Sequence, residues 1–240
     1  MTPERFAKLR AVLDRRQPDL TVLCEDVHKS HNISAILRSC DAVGVAELHA
    51  VSPGGEWSRH RGVSGGSRKW VRSRIHRSIE SAVADLQGSG YQILAAHFSS
   101  NSLDYRSVDF TRPTAILLGA ERLGVSAQAA TLADAHIVVP MRGLVESLNV
   151  SVAAAVILYE AARQREEAGF YARPRLDEGT YRELLFEWSY PAAARHCQAR
   201  GLPYPALDAE GFIQRRQLAD SLRESRAAAG RGRRISGAGS

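Results

Sequence analysis

The chain has 240 residues, 44% of them hydrophobic and 24% charged, and its 32 Lys and Arg against 26 Asp and Glu leave a net charge of +6. This composition suits a soluble globular protein; no run approaches the roughly 20 apolar residues that span a bilayer, and the opening MTPERFAKLR lacks a signal-peptide core, so a cytoplasmic location is expected. Three cysteines (Cys24, Cys40, Cys197) without a CxxC pair, and eight histidines without HExxH, argue against a disulfide framework and lead us to expect no metal.

Residues 4–16 read as a helix rich in Arg and Leu, ended ahead of Pro18. Apolar strand-like runs then alternate with helical patterns. Strands are expected at 20–24, 48–51, 70–75, 92–96, 115–118 and 136–139, the last stopped by Pro140. Helices are expected at 33–43, closed by Gly44, and at 79–86, 126–132 and about 148–168, with a Gly/Ser/Pro loop through residue 67. Strands separated by helices predict an α/β fold, a mostly parallel sheet with helices on both faces. Ligands of such sheets bind beyond the carboxyl ends of the strands, which directs attention to the loops after Ala96, Leu118 and Val139. Further helices are expected at 178–188 and 192–199, flanking a Pro-rich stretch at 201–205. The domains expected are an N-terminal basic helix (1–19), a core (20–168), a helical extension (169–224) and a disordered low-complexity tail (225–240).

Charge is unevenly distributed. Residues 57–77 carry Arg59, Arg61, Arg68, Lys69, Arg72, Arg74 and Arg77 with no acid, and residues 215–240 carry seven Arg against Asp220 and Glu224, a local +5. Clustered cations without local partners fit an anionic partner such as nucleic acid, or a solvated surface with a basic tail.

Three segments carry the chemistry. The first is HNISAILR at 31–38, leading to DAVG at 41–44; the second is LGAERLGV at 118–125; the third is VPMRGLVESLNVSVA at 139–153. Arg38 offers a planar fork suited to bidentate phosphate contact, and a guanidinium, protonated at neutral pH, is a poor proton acceptor. Asn32 reads as a helix N-cap or as a site residue, Ser147 as a cap for the long helix, and Asn149 as a tie to a neighbouring loop. Gly119 and Gly124 permit tight turns and close backbone approach, and Glu121 is placed to order that loop through nearby N–H groups. Taken alone, Arg38 would read as an exposed arginine in a surface ion pair worth about 0–1 kcal/mol. The thin face at Ala153, Ala154 and Ala155 lets another helix approach closely, whether from the same chain or a second copy.

In this order and spacing the three blocks resemble the SpoU branch of the SPOUT methyltransferases. The likeness extends to residues 15–22, 64–70, 163–165 and 201–205 and covers roughly residues 4–212. It implies a SPOUT-type core with a deep C-terminal trefoil knot, S-adenosyl-L-methionine as methyl donor, and a homodimer that completes each site. The implied activity is 2′-O-methylation of a tRNA ribose, guanosine 18 of the D-loop. Two alternatives are 2′-O-methylation of ribosomal RNA, disfavoured because only about 20 residues precede the first strand, and a non-catalytic RNA-binding module. The resemblance casts Arg38, Asn32, Ser147 and Asn149 as catalytic, with Arg38 activating the 2′-hydroxyl alongside a substrate phosphate. It places the cofactor against Ala96, Val139 and Leu148, largely through their main chain, with Gly119, Glu121, Met141 and Gly143 around it. Arg16, His31, Arg68, Lys69, Arg163, Arg165 and Arg173 are the candidates for RNA contact; Arg163 and Arg165, two apart on a helix, do not share a face. The sequence departs from the family pattern at Ser30, usually Pro, at Arg122, usually Lys, and at Leu144 and Glu146, usually Met and Gln.

Overall fold

The computed structural model describes residues 1–53, 57 and 69–214; Arg68, part of the basic run at 57–77 and the basic tail from residue 215 lie outside them. Contacts divide the chain into two compact units, Met1–Asp14 with Leu176–Ser240, and Arg15–Arg175. This differs from the expected division at 19/20 and 168/169. The first helix belongs with the C-terminal helices, and residues 15–19 and 169–175 belong with the core.

In the first unit α1 (Pro3–Leu13) buries Phe6, Leu9 and Leu13 and packs on α6 (Glu178–Ser189), which is followed by α7 (Pro191–Gln198). Thr2 caps α1 ahead of Pro3, and the Tyr181 hydroxyl donates to Asp14 Oδ1 at 2.8 Å. Gly211 (φ +87°) lies so close to the Phe6 ring that a Cβ there would fall 2.4 Å from it.

The second unit is a sheet of seven strands among the described residues, all parallel, in the order β3-β2-β1-β6-β4-β7-β5. Its strands are β1 (Leu20–Glu25), β2 (Glu47–Val51), β3 (Arg72–His76), β4 (Gln92–Ala96), β5 (Leu103–Asp104), β6 (Thr114–Leu118) and β7 (Ala135–Val138). Its helices are α2 (Ser30–Ala42), α3 (Ile79–Gly88), α4 (Ala127–Leu132) and α5 (Val150–Glu167). Every residue of β1 and β6 is buried, as the central strands of a two-sided parallel sheet require. Alternate residues feed two cores. Leu20, Val22 and Cys24 meet Ile33, Ile36, Ile157 and Leu158 of α2 and α5, whereas Leu23, Ile93 and Leu117 meet Ile79, Val83 and Ala129 of α3 and α4.

Each expected element lies within three residues of its sequence bounds. Helix α2 ends as its sequence predicts. Gly44 adopts φ +84°, Val45 N–H donates to Cys40 O and Gly44 N–H to Asp41 O, the paired bonds of a Schellman motif. The two-residue strand β5 and the one-turn 3₁₀ helix at Tyr105–Ser107 carry too little periodicity to be read from sequence.

Strand β3, at the sheet edge, presents exposed Arg74, which pairs with Glu47 (3.1 Å) and Asp85 (3.2 Å). Beneath it His49 Nδ1 and His76 Nε2 lie 2.9 Å apart with rings inclined by 13°. With Asp85 these rings form a three-ligand group whose candidate donor atoms lie within 4.8 Å of one another, invisible to a search for short ligand spacings. The spacing of the two nitrogens is that of an N–H···N hydrogen bond, and the Arg74 guanidinium already supplies the neighbouring carboxylates with a cation. Burial, then His76 and Arg74, lower the His49 pKa to about 4. A buried imidazole whose folded pKa lies below its unfolded value of about 6.5 takes up its proton more readily when unfolded, so its stabilising effect is complete above pH 6.5 and is lost as pH falls toward 4. Thermal melts from pH 7 to pH 4.5 are expected to show this acid loss, and His49→Leu should flatten the slope in that window. An identical slope in the variant would assign the loss to other groups.

Candidate active site at the carboxyl ends of the strands

The loops after β4, β6 and β7 enclose a cleft of about 490 Å³, a volume ordinary for a small-molecule site. Its walls are mostly apolar side chains and backbone, including Leu118, Ile137, Val139 and Leu148. Of the seven residues expected around a cofactor, Ala96, Gly119, Glu121, Val139, Met141 and Leu148 line it. Gly143 does not; it sits exposed on a bend outside the lining, because the chain turns outward between Met141 and Glu146. Sequence reasoning missed Phe98, 84% exposed at the rim, and placed Ser147 and Glu146 near the site without foreseeing that both line the cleft.

The turn after β6 explains why glycine occupies position 119. Ala120 and Gly124 exchange two backbone hydrogen bonds of 2.9 Å, and a Cβ on Gly119 would fall 2.0 Å from the Gly124 carbonyl carbon. Gly124 closes the same turn with φ +69°.

The three sequence blocks meet in one chain of hydrogen bonds. Asn149 Nδ2 donates to Asn32 Oδ1 (3.2 Å), and Asn32 Nδ2 donates to Glu121 Oε1 (2.9 Å). Glu121 also accepts from the amides of Lys29 (3.0 Å) and His28 (3.5 Å). Burial raises the Glu121 pKa, but the Asn32 side chain and these amides outweigh it and hold the carboxyl below its ordinary value. It is therefore an acceptor for this network at neutral pH.

Asn149 is the N-cap of α5, accepting from Ser151 N–H at 2.8 Å. Ser147, expected as that cap, lies three residues ahead of the first helical residue and cannot reach; it is exposed at the cleft. Asn32 is not a cap either: it is the third residue of α2, 1% exposed, and the cap position belongs to Lys29. The departure at Ser30 falls at the first helical position, where the proline of the family pattern is favoured by its fixed φ but not required.

Arg38 lies on the exposed stripe of α2 with His31, seven residues away and so nearly in line, about 9 Å along the axis from Asn32. It makes no ion pair or side-chain hydrogen bond among the described residues and does not line the cleft of its own chain. His31, Lys69 and Arg173 are likewise exposed. Arg163 is exposed but gripped by Glu160 (2.7 Å) and Glu167 (2.6 Å) on its own helix.

Two expected RNA contacts are corrected. Arg16 has 0% exposure and donates to Asp41 Oδ1 (2.5 Å), Val45 O (2.9 Å) and Trp70 O (3.1 Å). Arg165 also has 0% exposure; it donates to the side chain and carbonyl of Asp19 (2.6 and 3.0 Å), to Gln17 Oε1 (3.2 Å) and to the carbonyls of Phe110 (2.9 Å) and Arg112 (3.1 Å). Both guanidiniums are enclosed by these acceptors, so neither can meet a phosphate.

A parallel sheet carrying a glycine-shaped cleft beyond its carboxyl ends, with the Asn32–Glu121–Asn149 chain at that cleft, agrees with what sequence comparison finds: the chain belongs to the SpoU rRNA methylase family, whose model matches residues 19–159. A second model, the SpoU rRNA methylase C-terminal segment, matches residues 163–216. The chain is 51% identical over 216 residues to the tRNA (guanosine(18)-2′-O)-methyltransferase of Escherichia coli (strain K12), covering 89% of this chain and 94% of that protein. The crystal structure of the TrmH/SpoU tRNA modifying enzyme of Aquifex aeolicus superposes with a TM-score of 0.71 at 42% identity, covering 78% of this chain and 96% of that one. The SpoU methyltransferase AviRb from Streptomyces viridochromogenes, solved with the cofactor AdoMet, superposes at 0.56 and 28% identity, covering 64% of this chain and 59% of that one.

Proposed function

We propose that this chain transfers the methyl group of S-adenosyl-L-methionine to the ribose 2′-oxygen of guanosine 18 in tRNA. The observation that carries the proposal is the Asn149–Asn32–Glu121 hydrogen-bond chain, which draws three separated sequence blocks together at a cleft of cofactor size. The tRNA specificity rests on the 51% identical relative that methylates guanosine 18, over almost its whole length. A family model named for ribosomal RNA keeps that acceptor as the competing outcome.

The cleft fits S-adenosylmethionine. Its apolar walls suit an adenine ring and the methylene arms of the methionine moiety, and the absence of a Cβ at Gly119 leaves the turn tight enough to bring backbone to the ligand. When bound, the cofactor supplies an electrophilic sulfonium methyl. Ala96, Val139 and Leu148 would hold it, largely through main-chain groups, with Gly119 and Met141 shaping the walls. Arg38 grips a substrate phosphate bidentately and so fixes the ribose for attack; a phosphate oxygen or water receives the 2′-hydroxyl proton, since guanidinium does not act as a base at neutral pH. Asn32, Asn149 and Ser147 order the surroundings of the reacting sugar. His31, Lys69, Arg163 and Arg173 are the remaining described candidates for RNA contact.

The reading includes a homodimer. Val152 (47% exposed) and Tyr159 (59%) stand seven residues apart on α5 and offer an apolar surface to a second copy, and a neighbouring chain is the means by which Arg38 reaches a cleft that its own chain does not bring it to. It also includes the trefoil knot. In support, β7 lies between β4 and β5, strands already joined by the short connection at 97–102, so the later chain must pass this connection to take its place. No helix among the described residues is long and apolar enough to cross a membrane, and the action proposed is cytoplasmic.

The test is transfer of labelled methyl from S-adenosylmethionine to unmodified tRNA, to ribosomal RNA and to neither. Label in tRNA is expected; label in ribosomal RNA alone would move the substrate, and none in either would favour an RNA-binding module. Gly119→Ala, whose Cβ would collide with the Gly124 backbone, is expected to weaken S-adenosylmethionine binding at least about tenfold, ~1.4 kcal/mol by calorimetry. Unchanged affinity would mean that this turn does not shape the cofactor site.

A further inference from the structure

A second buried carboxylate stands beside the proposed site. Glu25, the last residue of β1, is 6% exposed and makes no ion pair among the described residues. Its Oε2 accepts from Ser126 N–H (3.0 Å) and its Oε1 from the Ser126 hydroxyl (2.7 Å). Ser126 ends the loop that follows β6 and caps α4, its Oγ accepting from Ala129 N–H at 3.0 Å. That cap is complete without Glu25, and a glutamate buried with no cation beside it is uncommon. Helix capping alone therefore does not explain the residue.

Glu121 reaches in the opposite direction. It belongs to the loop after β6 and accepts from His28, Lys29 and Asn32 on the segment after β1. Strands β1 and β6 are parallel neighbours, with Cys24 opposite Leu118. Each of two adjacent loops thus holds the other through a carboxylate. Between Glu25 and the amides held by Glu121, Asp26 takes φ +52°, and it is the single non-glycine residue with positive φ among the described residues. A left-handed residue is disfavoured by sterics, less so for Asp than for most residues, and persists where its surroundings over-determine it. The two carboxylates brace the backbone on either side of it.

We propose that Glu25 is a positioning residue for methyl transfer: with Glu121 it forms a reciprocal latch that fixes the cleft-lining loop at 119–126 against the first turn of α2, which carries Asn32. The inference rests on the methyltransferase reading for its catalytic consequence, but the latch has a readout of its own that involves neither methyl donor nor RNA.

Two experiments on the full-length protein test it, using Glu25→Gln, Ser126→Ala and the double variant. Glu25→Gln keeps the shape but removes the charge and one of the two acceptor oxygens that Ser126 uses. Backbone hydrogen exchange at His28 and Lys29, amides that Glu25 does not touch, is expected to accelerate about tenfold, within the range of ordinary intramolecular coupling. In transfer assays kcat is expected to fall about tenfold or more while KM for tRNA stays within about twofold, and the double variant is expected to be no slower than the slower single variant. Ser126→Thr, which keeps the hydroxyl, should retain the wild-type kcat. Unchanged exchange in both single variants would overturn the latch; faster exchange with wild-type kcat would overturn its role in the reaction. Should Glu25→Gln fail to fold, Glu25→Asp, which shortens the reach to Ser126 and leaves the Ser126 cap of α4 in place, carries both readouts.

Discussion

Arg38→Ala is expected to lower kcat at least about a hundredfold while leaving the affinity for S-adenosylmethionine within about twofold. The guanidinium sits on the exposed stripe of α2, free of intramolecular ion pairs among the described residues, and away from the cleft lining of its own chain. On the proposed reading its loss removes a contact with RNA, and its place on that stripe leaves the core and the cleft lining undisturbed. Arg38→Lys is informative beside it: an ammonium keeps the charge but loses the bidentate fork, and an intermediate loss is expected. If neighbouring chains complete each site, mixing Arg38→Ala with an inactive cleft variant such as Gly119→Val should restore activity through mixed dimers. Wild-type turnover in Arg38→Ala would remove the residue from the mechanism.

Arg165→Met is expected to destabilise the core by about 3–5 kcal/mol, the cost of breaking a buried charge network. That is a large part of the 5–15 kcal/mol available to a typical domain. Five N–H groups of this side chain meet Asp19, Gln17, Phe110 and Arg112, so the helix that follows the third motif is fastened to the segments entering β1 and β6. Arg175 keeps Asp19 paired in the variant (2.9 Å) and stacks over Phe170 at 3.9 Å, but the carbonyls of Phe110 and Arg112 lose their donor. Arg163→Met, two residues away, is expected to change stability by less than about 1 kcal/mol because the guanidinium is exposed and half-buried Glu160 keeps its bond from Gln164. Denaturant titration separates the two. A small effect at Arg165 together with weakened tRNA binding would reinstate it as an RNA contact.

Local pattern carried most of the fold. The apolar run at 20–24 that makes up most of β1, the Gly44 cap of α2 and the stop at Pro140 are each legible because the physical signal lies within a few residues. What could not be read depends on distant partners. Arg16 and Arg165 read as surface cations, since arginine is almost never fully buried unless paired, and their partners Asp41 and Asp19 lie 25 and 146 residues away. The same distance hid the pairing of His49 with His76 and the carboxylate exchange between the loops after β1 and β6. At the site, the motif residues were found by type and spacing, but their division of labour was not. Asn149 caps α5 where Ser147 was expected, and Asn32 bridges two loops from inside a helix.

The measurement that bears most directly on the proposed activity is an alkaline hydrolysis ladder of a single tRNA transcript after incubation with the protein and S-adenosylmethionine. A methylated 2′-oxygen cannot attack its own phosphodiester, so one rung, the cleavage after guanosine 18, is expected to disappear. A complete ladder on methylated tRNA would place the methyl on a base, and a gap at any other nucleotide would contradict the site proposed here.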